Sequence, residues 1–367
     1  MKFFNNIRSF FSDITNFFQS ASVLGIDIGT SSIKVVELSR KEGRFVLNNY
    51  GFLETRDYLE HANLALQMSS LDIIESEAAK LLKIILRDTQ IKSRVALVSV
   101  PEFASFATLL DMPLLSYKET SQSVEFQAKK YIPMPVEQVQ VDWQKVDEFQ
   151  TNDGRKFQRV MLIGIPKKLI RSYKNICQEA GLKMISMEIE SMAVTRALPK
   201  FERPTLVIDI GAESTAVIVT EKGFVKYSDQ IDYGGIHITR ALSASLDLGM
   251  QRAEELKRRR GLSDQTGESE LSTLALPFLN VIIQEVDYIR DNYERRYGKE
   301  VKQMALIGGG ANLSGMEKTF SLQLGIDLVN PNIFGDVSYP PEIEPAIKGL
   351  GNELSVSFGI AKKYFIN

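Results

Sequence analysis

A strand–turn–strand pattern that occurs twice constrains the fold of this chain more than any other feature. In Val23-Leu24-Gly25-Ile26-Asp27-Ile28-Gly29-Thr30-Ser31-Ser32-Ile33-Lys34-Val35-Val36-Glu37-Leu38, an apolar run ends in Asp-Ile-Gly. A small hydroxyl-bearing turn follows and β-branched residues resume, which reads as a hairpin. Leu206-Val207-Ile208-Asp209-Ile210-Gly211-Ala212-Glu213-Ser214-Thr215-Ala216-Val217-Ile218-Val219 repeats the pattern. Each copy sets an Asp at the end of a buried strand and a Gly two residues later. The copies are separated by about half of the 367-residue chain, far beyond the roughly 20–50-residue period of a solenoid. Two duplicated domains facing one another are therefore expected.

The chemistry follows from that geometry. Small residues let successive backbone N–H groups close on an anion as a nest, and Thr30, Ser31, Ser214 and Thr215 add hydroxyl donors. One carboxylate from each copy, Asp27 and Asp209, suits Mg²⁺, which keeps its waters and takes one or two carboxylates plus phosphate oxygens. Lys34 offers phosphate a point charge. A third segment, Met304-Ala305-Leu306-Ile307-Gly308-Gly309-Gly310-Ala311-Asn312-Leu313-Ser314-Gly315-Met316, reads as a strand, three glycines and a helix start. Its glycines permit close approach to a flat ligand or to a phosphate at a helix N-terminus. This segment is not a dinucleotide fingerprint, because it lacks the G-x-G-x-x-G spacing and the following acidic partner, and the absence of a G-x-x-x-x-G-K-[ST] loop from the sequence excludes a P-loop enzyme.

Composition narrows the partners. Lys plus Arg is 44 against 46 for Asp plus Glu, a net charge of −2, so the basic footprint of a nucleic-acid binder is missing. The single Cys177 excludes an internal disulfide framework and suggests a reducing compartment. With only His61 and His237 besides, a Cys/His zinc site lacks ligands. Near the N-terminus, Phe3, Phe4, Ile7, Phe10, Phe11, Ile14, Phe17 and Phe18 recur at helical spacing and fall within an arc of about 140°. They predict an amphipathic helix over residues 1–21 that gives peripheral attachment. Its apolar face suits a membrane interface, a groove on its own protein or a partner helix; Lys2 and Arg8 add little attraction to anionic lipid. The apolar residues are never continuous enough for a transmembrane span or a signal peptide, and no other segment has the length and polarity to span.

Asp27–Val35, Asp209–Val217 and Leu306–Met316, in that order, resemble the phosphate-1, phosphate-2 and adenosine segments of the actin–Hsp70–sugar-kinase superfamily. Gly234-Gly235 followed by Ala253-Glu254-Glu255-Leu256-Lys257 resembles the bacterial-actin segment whose Glu and Lys touch the ribose. The resemblance implies that Asp27, Gly29, Thr30, Ser31 and Lys34 face one side of the phosphates of ATP. Gly211, Ala212, Glu213, Ser214 and Thr215 face the other, Gly235, Glu254 and Lys257 lie by the ribose, and Gly308, Gly309 and Gly310 approach the adenine. Asp27 and Asp209 would hold the Mg²⁺.

Between them, Ser99-Val100-Pro101, Leu110-Asp111-Met112-Pro113, Glu125-Phe126-Gln127-Ala128-Lys129-Lys130-Tyr131-Ile132-Pro133-Met134-Pro135, Val141-Asp142-Trp143 and Glu179-Ala180-Gly181-Leu182-Lys183 are similar to the PilM family. These are cytoplasmic actin-like proteins of type IV pilus assembly that carry an SHS2-type subdomain in place of actin subdomain 1B. The implied fold is α/β, an actin-like (ribonuclease H-like, duplicated) ATP-binding fold. Subdomain 1A would take residues 22–93, 181–200 and 351–367, the SHS2-type subdomain 1C 94–180, subdomain 2A 201–236 and 301–350, and subdomain 2B 237–300. The implied function is an ATP-binding cytoplasmic scaffold at the inner face of the cytoplasmic membrane, which binds the N-terminal cytoplasmic tail of a PilN-like membrane protein in a groove between 1A and 1C. Two alternatives stay open: an FtsA-like cell-division tether, whose lipid helix would be at the other end of the chain, and a small-molecule kinase of the same superfamily.

Turnover needs a group that positions the attacking water. The candidate is Glu190, where bacterial actins carry an acidic residue; the plainer reading is a solvent-facing helix carboxylate. At most a slow Mg²⁺-dependent ATPase is expected. His237 reads as a helix-start residue, Cys177 as a buried small hydrophobe, Trp143 as core or partner groove, and Tyr131–Pro135 as a turn or a peptide-docking rim. Lys257-Arg258-Arg259-Arg260 suits phosphate, lipid or an acidic partner, the plainer reading being a solvated face except at Lys257, and Gly261–Thr273 reads as a polar loop.

Overall fold

The computed structural model describes residues 22–54, 71–262 and 269–366; the Phe-rich segment 1–21 and its expected helix lie outside them. Strands β1 (Val23–Ile28), β2 (Ser32–Lys41) and β3 (Arg44–Glu54) form an antiparallel meander, and helix α1 (Leu71–Asp88) leads into β4 (Val95–Val100). A strand–helix–strand–strand module follows: β5 (Phe106–Pro113), α2 (Tyr117–Tyr131), β6 (Val139–Gln150) and β7 (Lys156–Pro166). The chain returns through α3 (Lys167–Glu179), β8 (Lys183–Ile189) and α4 (Glu190–Ala197). The second lobe contains β9 (Thr205–Ile210), β10 (Thr215–Glu221), β11 (Phe224–Ile231), α5 (Gly235–Leu246), α6 (Met250–Arg260), α7 (Ser269–Tyr297), β12 (Gln303–Ile307), α8 (Met316–Leu324) and β13 (Asp327–Leu328). β14 (Val337–Ser338), α9 (Glu344–Leu350) and α10 (Ser355–Ile366) close the chain.

The strands make three sheets, in the orders β14-β3-β2-β1-β4-β8, β11-β10-β9-β12-β13 and β5-β7-β6. Both expected hairpins are present and alike: Asp27 pairs with Lys34 across β1–β2, and Asp209 with Ala216 across β9–β10. Side-chain alternation explains why both strands are buried on two faces. Leu24 and Ile26 enter the core beneath α1 and α3, while Leu206, Ile208 and Ile210 enter the core beneath α7 and α8. Val23 and Val207 face the opposite way, into one central cluster shared by both lobes and the module. Asp27 and Asp209 lie on those same inner faces, at the strand ends, so the pleat aims both carboxylates between the lobes. α10 and α4 fill that central layer at close range. A Cβ on Gly25 would sit 1.8 Å from the Ser357 carbonyl oxygen, and one on Gly359 1.8 Å from that of Ala193.

Three sequence readings shift. β4 is hydrogen-bonded to β1 and β8 in the first lobe's sheet, and α3 buries Tyr173, Ile176 and Cys177 in that lobe's core. The stretch proposed as subdomain 1C therefore encloses two first-lobe elements around the module. β14 likewise pairs with β3 of the first lobe, although it falls inside the 301–350 stretch assigned to 2A. The polar stretch Gly261–Thr273 is not loop throughout, because α7 already begins at Ser269. Cys177 is fully buried, and desolvation pushes its thiol up to about 12.

Candidate functional site

The two hairpin turns are built alike. Gly29 N donates to Ser32 O at 3.0 Å and Gly211 N to Ser214 O at 3.0 Å, which folds each turn over the adjacent Asp. Asp27 is 3% exposed; it accepts from Ser99 Oγ at 2.9 Å and pairs with Lys34 Nζ at 3.3 Å. Gly308 closes the site beside the second Asp. Its φ of +79° and ψ of 173° lie in a region essentially restricted to glycine, and a Cβ there would meet Asp209 Oδ1 at 2.3 Å. Glu190 opens α4 and faces the same space. Asp27, Gly29, Thr30, Ser31, Lys34, Glu190, Asp209, Gly211, Ala212, Glu213, Ser214 and Gly308 line one cavity of about 90 Å³.

That cavity continues into a larger one of about 360 Å³, sharing Ser31, Lys34, Gly211 and Ala212 with it. The larger cavity adds Gly235, Glu254, Lys257, Gly309 and Gly310 from the second lobe, a size that suits a small-molecule ligand. Lys257 is 8% exposed. Its ammonium donates to Gly235 O at 3.0 Å and Thr239 Oγ1 at 2.9 Å and pairs with Glu254 at 2.6 Å. Burial pulls the Lys257 ammonium below its usual range against the pull of Glu254. Although burial opposes ionisation, the Lys257 charge and bonds from Lys257, Thr239 and Arg258 hold Glu254 low.

The smaller cavity has the opposite character. Burial pushes Asp209 up to about 6, with Asp27 reinforcing the rise and Lys34 opposing it. Burial, and then Asp27, Asp209 and Glu102, hold Glu190 well above the carboxylate range. Burial alone would lower Lys34, yet the Asp27 and Asp209 carboxylates hold it high. One buried carboxylate, Asp27, and two half-buried ones, Asp209 and Glu190, thus confront one ammonium, a surplus of negative charge in a confined site. Such a donor set fits a hard divalent cation: Asp27 and Asp209 would hold Mg²⁺, which when bound would neutralise carboxylate and phosphate oxygens together. Among the described residues no group of three or more Asp, Glu, His or Cys is gathered for direct metal ligation.

The structure brings together every sequence-derived site residue except one. Thr215 is fully buried as the first residue of β10; its hydroxyl donates to Tyr233 O at 2.8 Å. Strand alternation turns it away from the cleft, so it offers the cavity no hydroxyl. Gly308 lies by Asp209 on the carboxylate side, whereas Gly309 and Gly310 line the larger cavity. Glu190 is a cleft group and not a solvent-facing helix carboxylate. Arg258 is not simply part of a solvated face: it pairs with Glu254 at 2.7 Å and reaches Glu54 across the cleft. Sequence reading missed Arg258, Glu54, Asn312 and Glu353, all of which line the larger cavity. Asn312 Nδ2 donates to Glu353 at 2.9 Å, tying the third glycine segment to the turn before α10. Only the Gly351-Asn352-Glu353 turn hinted at this.

The remaining residues have structural partners. His237 Nδ1 lies 3.2 Å from Gly234 N at the start of α5, and its ring stacks on Tyr233. Trp143 is half-buried in the module, bonded to Ser121 Oγ at 3.1 Å and set against the Tyr117 ring. Ile132 anchors its turn in the module core while Tyr131 and Met134 stay exposed.

Comparison with known proteins agrees with this architecture. A PilM–PilN type IV pilus biogenesis complex contains a chain superposing with a TM-score of 0.79 at 22% identity, covering 95% of this chain and 99% of that one. MreB 5 of Spiroplasma citri bound to AMPPNP superposes at 0.51 and 14% identity, covering 94% and 96%. These show an actin-like α/β fold, one whose relatives include a nucleotide-bound protein. The ethanolamine utilization protein EutJ of Escherichia coli (strain K12) is 29% identical over 116 residues, 32% of this chain and 41% of that relative. The family model for the type IV pilus assembly protein PilM matches residues 25–365, nearly the whole chain, and on that match the chain belongs to the PilM family of type IV pilus assembly proteins, within the actin-like superfamily.

Proposed function

We propose that this chain is an ATP-binding scaffold of the type IV pilus inner-membrane assembly complex. Its cleft would hold Mg·ATP, and a groove between the first lobe and the strand–helix–strand–strand module would take the N-terminal cytoplasmic tail of a PilN-like membrane protein. The carrying observation is the pair of matched hairpins that aim Asp27 and Asp209, with Lys34 between, into one cavity that opens onto a nucleotide-sized one. Membership of the PilM family, and the likeness to a chain from a PilM–PilN complex, support the partner.

In this reading the backbone N–H groups of both turns, with the Thr30, Ser31 and Ser214 hydroxyls, bind phosphate oxygens. Lys34 orients them, and Glu254 and Lys257 take the ribose. Glu190 is the group placed to hold an attacking water. Burial, and then the Asp27, Asp209 and Glu102 carboxylates, hold its carboxyl well above the usual carboxylate range, and the turnover expected of this site is slow. Among the described residues no helix is long and apolar enough to cross a membrane, so attachment would run through the partner or the segment 1–21.

Calorimetric titration with Mg·ATP, with and without a synthetic N-terminal peptide of the PilN-like partner, tests the reading. Binding of both, with each altering the affinity of the other, is expected; nucleotide binding without peptide binding would remove the scaffold assignment, and binding of neither would leave only the fold.

A further inference from the structure

Two irregularities in separate sheets meet at one contact. In the β10–β11 ladder Val219 faces Tyr227 and Thr220 faces Val225, leaving Lys226 as an extra residue. In the β6–β7 ladder Lys145 faces Val160 and Asp147 faces Arg159, leaving Val146 as an extra residue. A bulge frees a carbonyl from its ladder and re-aims a side chain, and here the two effects complement each other. Lys226 Nζ donates to the Val146 carbonyl at 2.9 Å and to Asp147 Oδ2 at 3.1 Å. Lys226 is only 6% exposed, so its ammonium cannot leave these partners without stranding a buried charge. A shift of β11 relative to the module would break both bonds.

The other end of β11 reaches the phosphate side of the cleft. Gln230 lines the cavity that holds Asp27, Asp209 and Glu190, four residues beyond Lys226, a span of about 13 Å along a strand. β11 is the edge strand of its sheet. It packs against α4, whose first residue is Glu190, and against β5, β6 and the turn Glu102–Ala104 that leads into the module. Glu102 itself accepts from Ser191 N at 3.0 Å in the first turn of α4. The strand therefore touches the phosphate cavity at one end and is bonded to the module at the other.

We infer that Lys226 is a positioning residue that makes the module report the occupancy of the phosphate cavity, with β11 as the rigid link and the paired bulges as its anchor. The inference rests on the proposed reading of the cleft as a Mg·ATP site. A ligand that moves Gln230 and α4 must then move β6, and by linkage anything that fixes β6 alters nucleotide affinity by the same factor.

Hydrogen–deuterium exchange of residues 139–150 in the full chain, with calorimetry on the same samples, tests the link. In the wild type, saturating Mg·ATP is expected to slow exchange there about threefold or more. Lys226→Met should exchange faster without nucleotide and lose the nucleotide response while still binding Mg·ATP. Lys226→Arg should restore the response, and the milder Asp147→Asn, which keeps the Val146 bond, should retain part of it. A persisting response in Lys226→Met, or a wild type that binds Mg·ATP with no change at 139–150, overturns the link and leaves the cleft reading standing. A wild type that does not bind Mg·ATP overturns both.

Discussion

Asp209→Asn should make the metal-free protein more stable at neutral pH while abolishing its Mg²⁺-dependent ATP binding. Burial and the neighbouring Asp27 push the Asp209 carboxyl up to about 6 from an unfolded value near 3.8. Between those values the folded state binds more protons than the unfolded state, so stability falls as pH rises through that window. At about 1.4 kcal/mol per pH unit, a separation of about two units amounts to roughly 3 kcal/mol. Asp209 is only half-buried where it lines the cavity, which reduces the figure to about 2 kcal/mol. Asn keeps the shape and removes the charge, and it also relieves Glu190, which Asp209 holds high. Urea unfolding without metal should show Asp209→Asn about 2 kcal/mol more stable than wild type at pH 8, with the difference vanishing near pH 4. Equal stabilities at pH 8, or a difference independent of pH, would refute the charge-surplus argument.

Gly308→Ala should destabilise by about 2–5 kcal/mol, combining a disfavoured backbone region with overpacking against Asp209. Gly349→Ala, which meets nothing within 4 Å, should be neutral or slightly stabilising; similar denaturation midpoints for the two variants would contradict the cradle. Glu190→Gln should retain Mg·ATP affinity within about threefold and slow single-turnover hydrolysis by roughly 100-fold. Unchanged hydrolysis, or a wild type with none, would deny Glu190 a catalytic part. If the segment 1–21 lies in a membrane interface, Phe10→Glu with Phe11→Glu should release the protein from liposomes, a prediction from the helical spacing of residues 3–18 alone; a wild type that never co-sediments refutes the membrane reading.

The two hairpins were legible because their signal is local. Asp-Ile-Gly followed by Thr-Ser or Ala-Glu-Ser fixes both turn and pleat, and the pleat aims Asp27 and Asp209. Thr215 shows the limit of that logic, since being beside the turn is not the same as facing the cleft once β10 has begun. Arg258 and Glu54 were hidden for a different reason: their pairing depends on how two lobes close, and nothing in Lys257-Arg258-Arg259-Arg260 distinguishes a cleft arginine from a solvated one. Glu353 and Asn312 meet in the same way, across a long sequence separation. The bulges at Val146 and Lys226 were also invisible, because an unbroken run of strand-forming residues reads identically with or without an extra residue.

The charge distribution along the cleft gives these separate features one physical logic. At the end proposed for the ribose, Lys257 and Arg258 balance Glu254 and Glu54 in a closed network, so those charges are paired without added ions. At the phosphate end, Asp27, Asp209 and Glu190 exceed what Lys34 can offset, and the imbalance is relieved only by protons or by added positive charge. The carboxylates come from β1, β9 and α4, three elements of two lobes, so the repulsion among them depends on the lobes' spacing. α4, which carries Glu190, also packs against β11, so in the proposed link relief of the repulsion would act on an element that touches the strand bonded to the module.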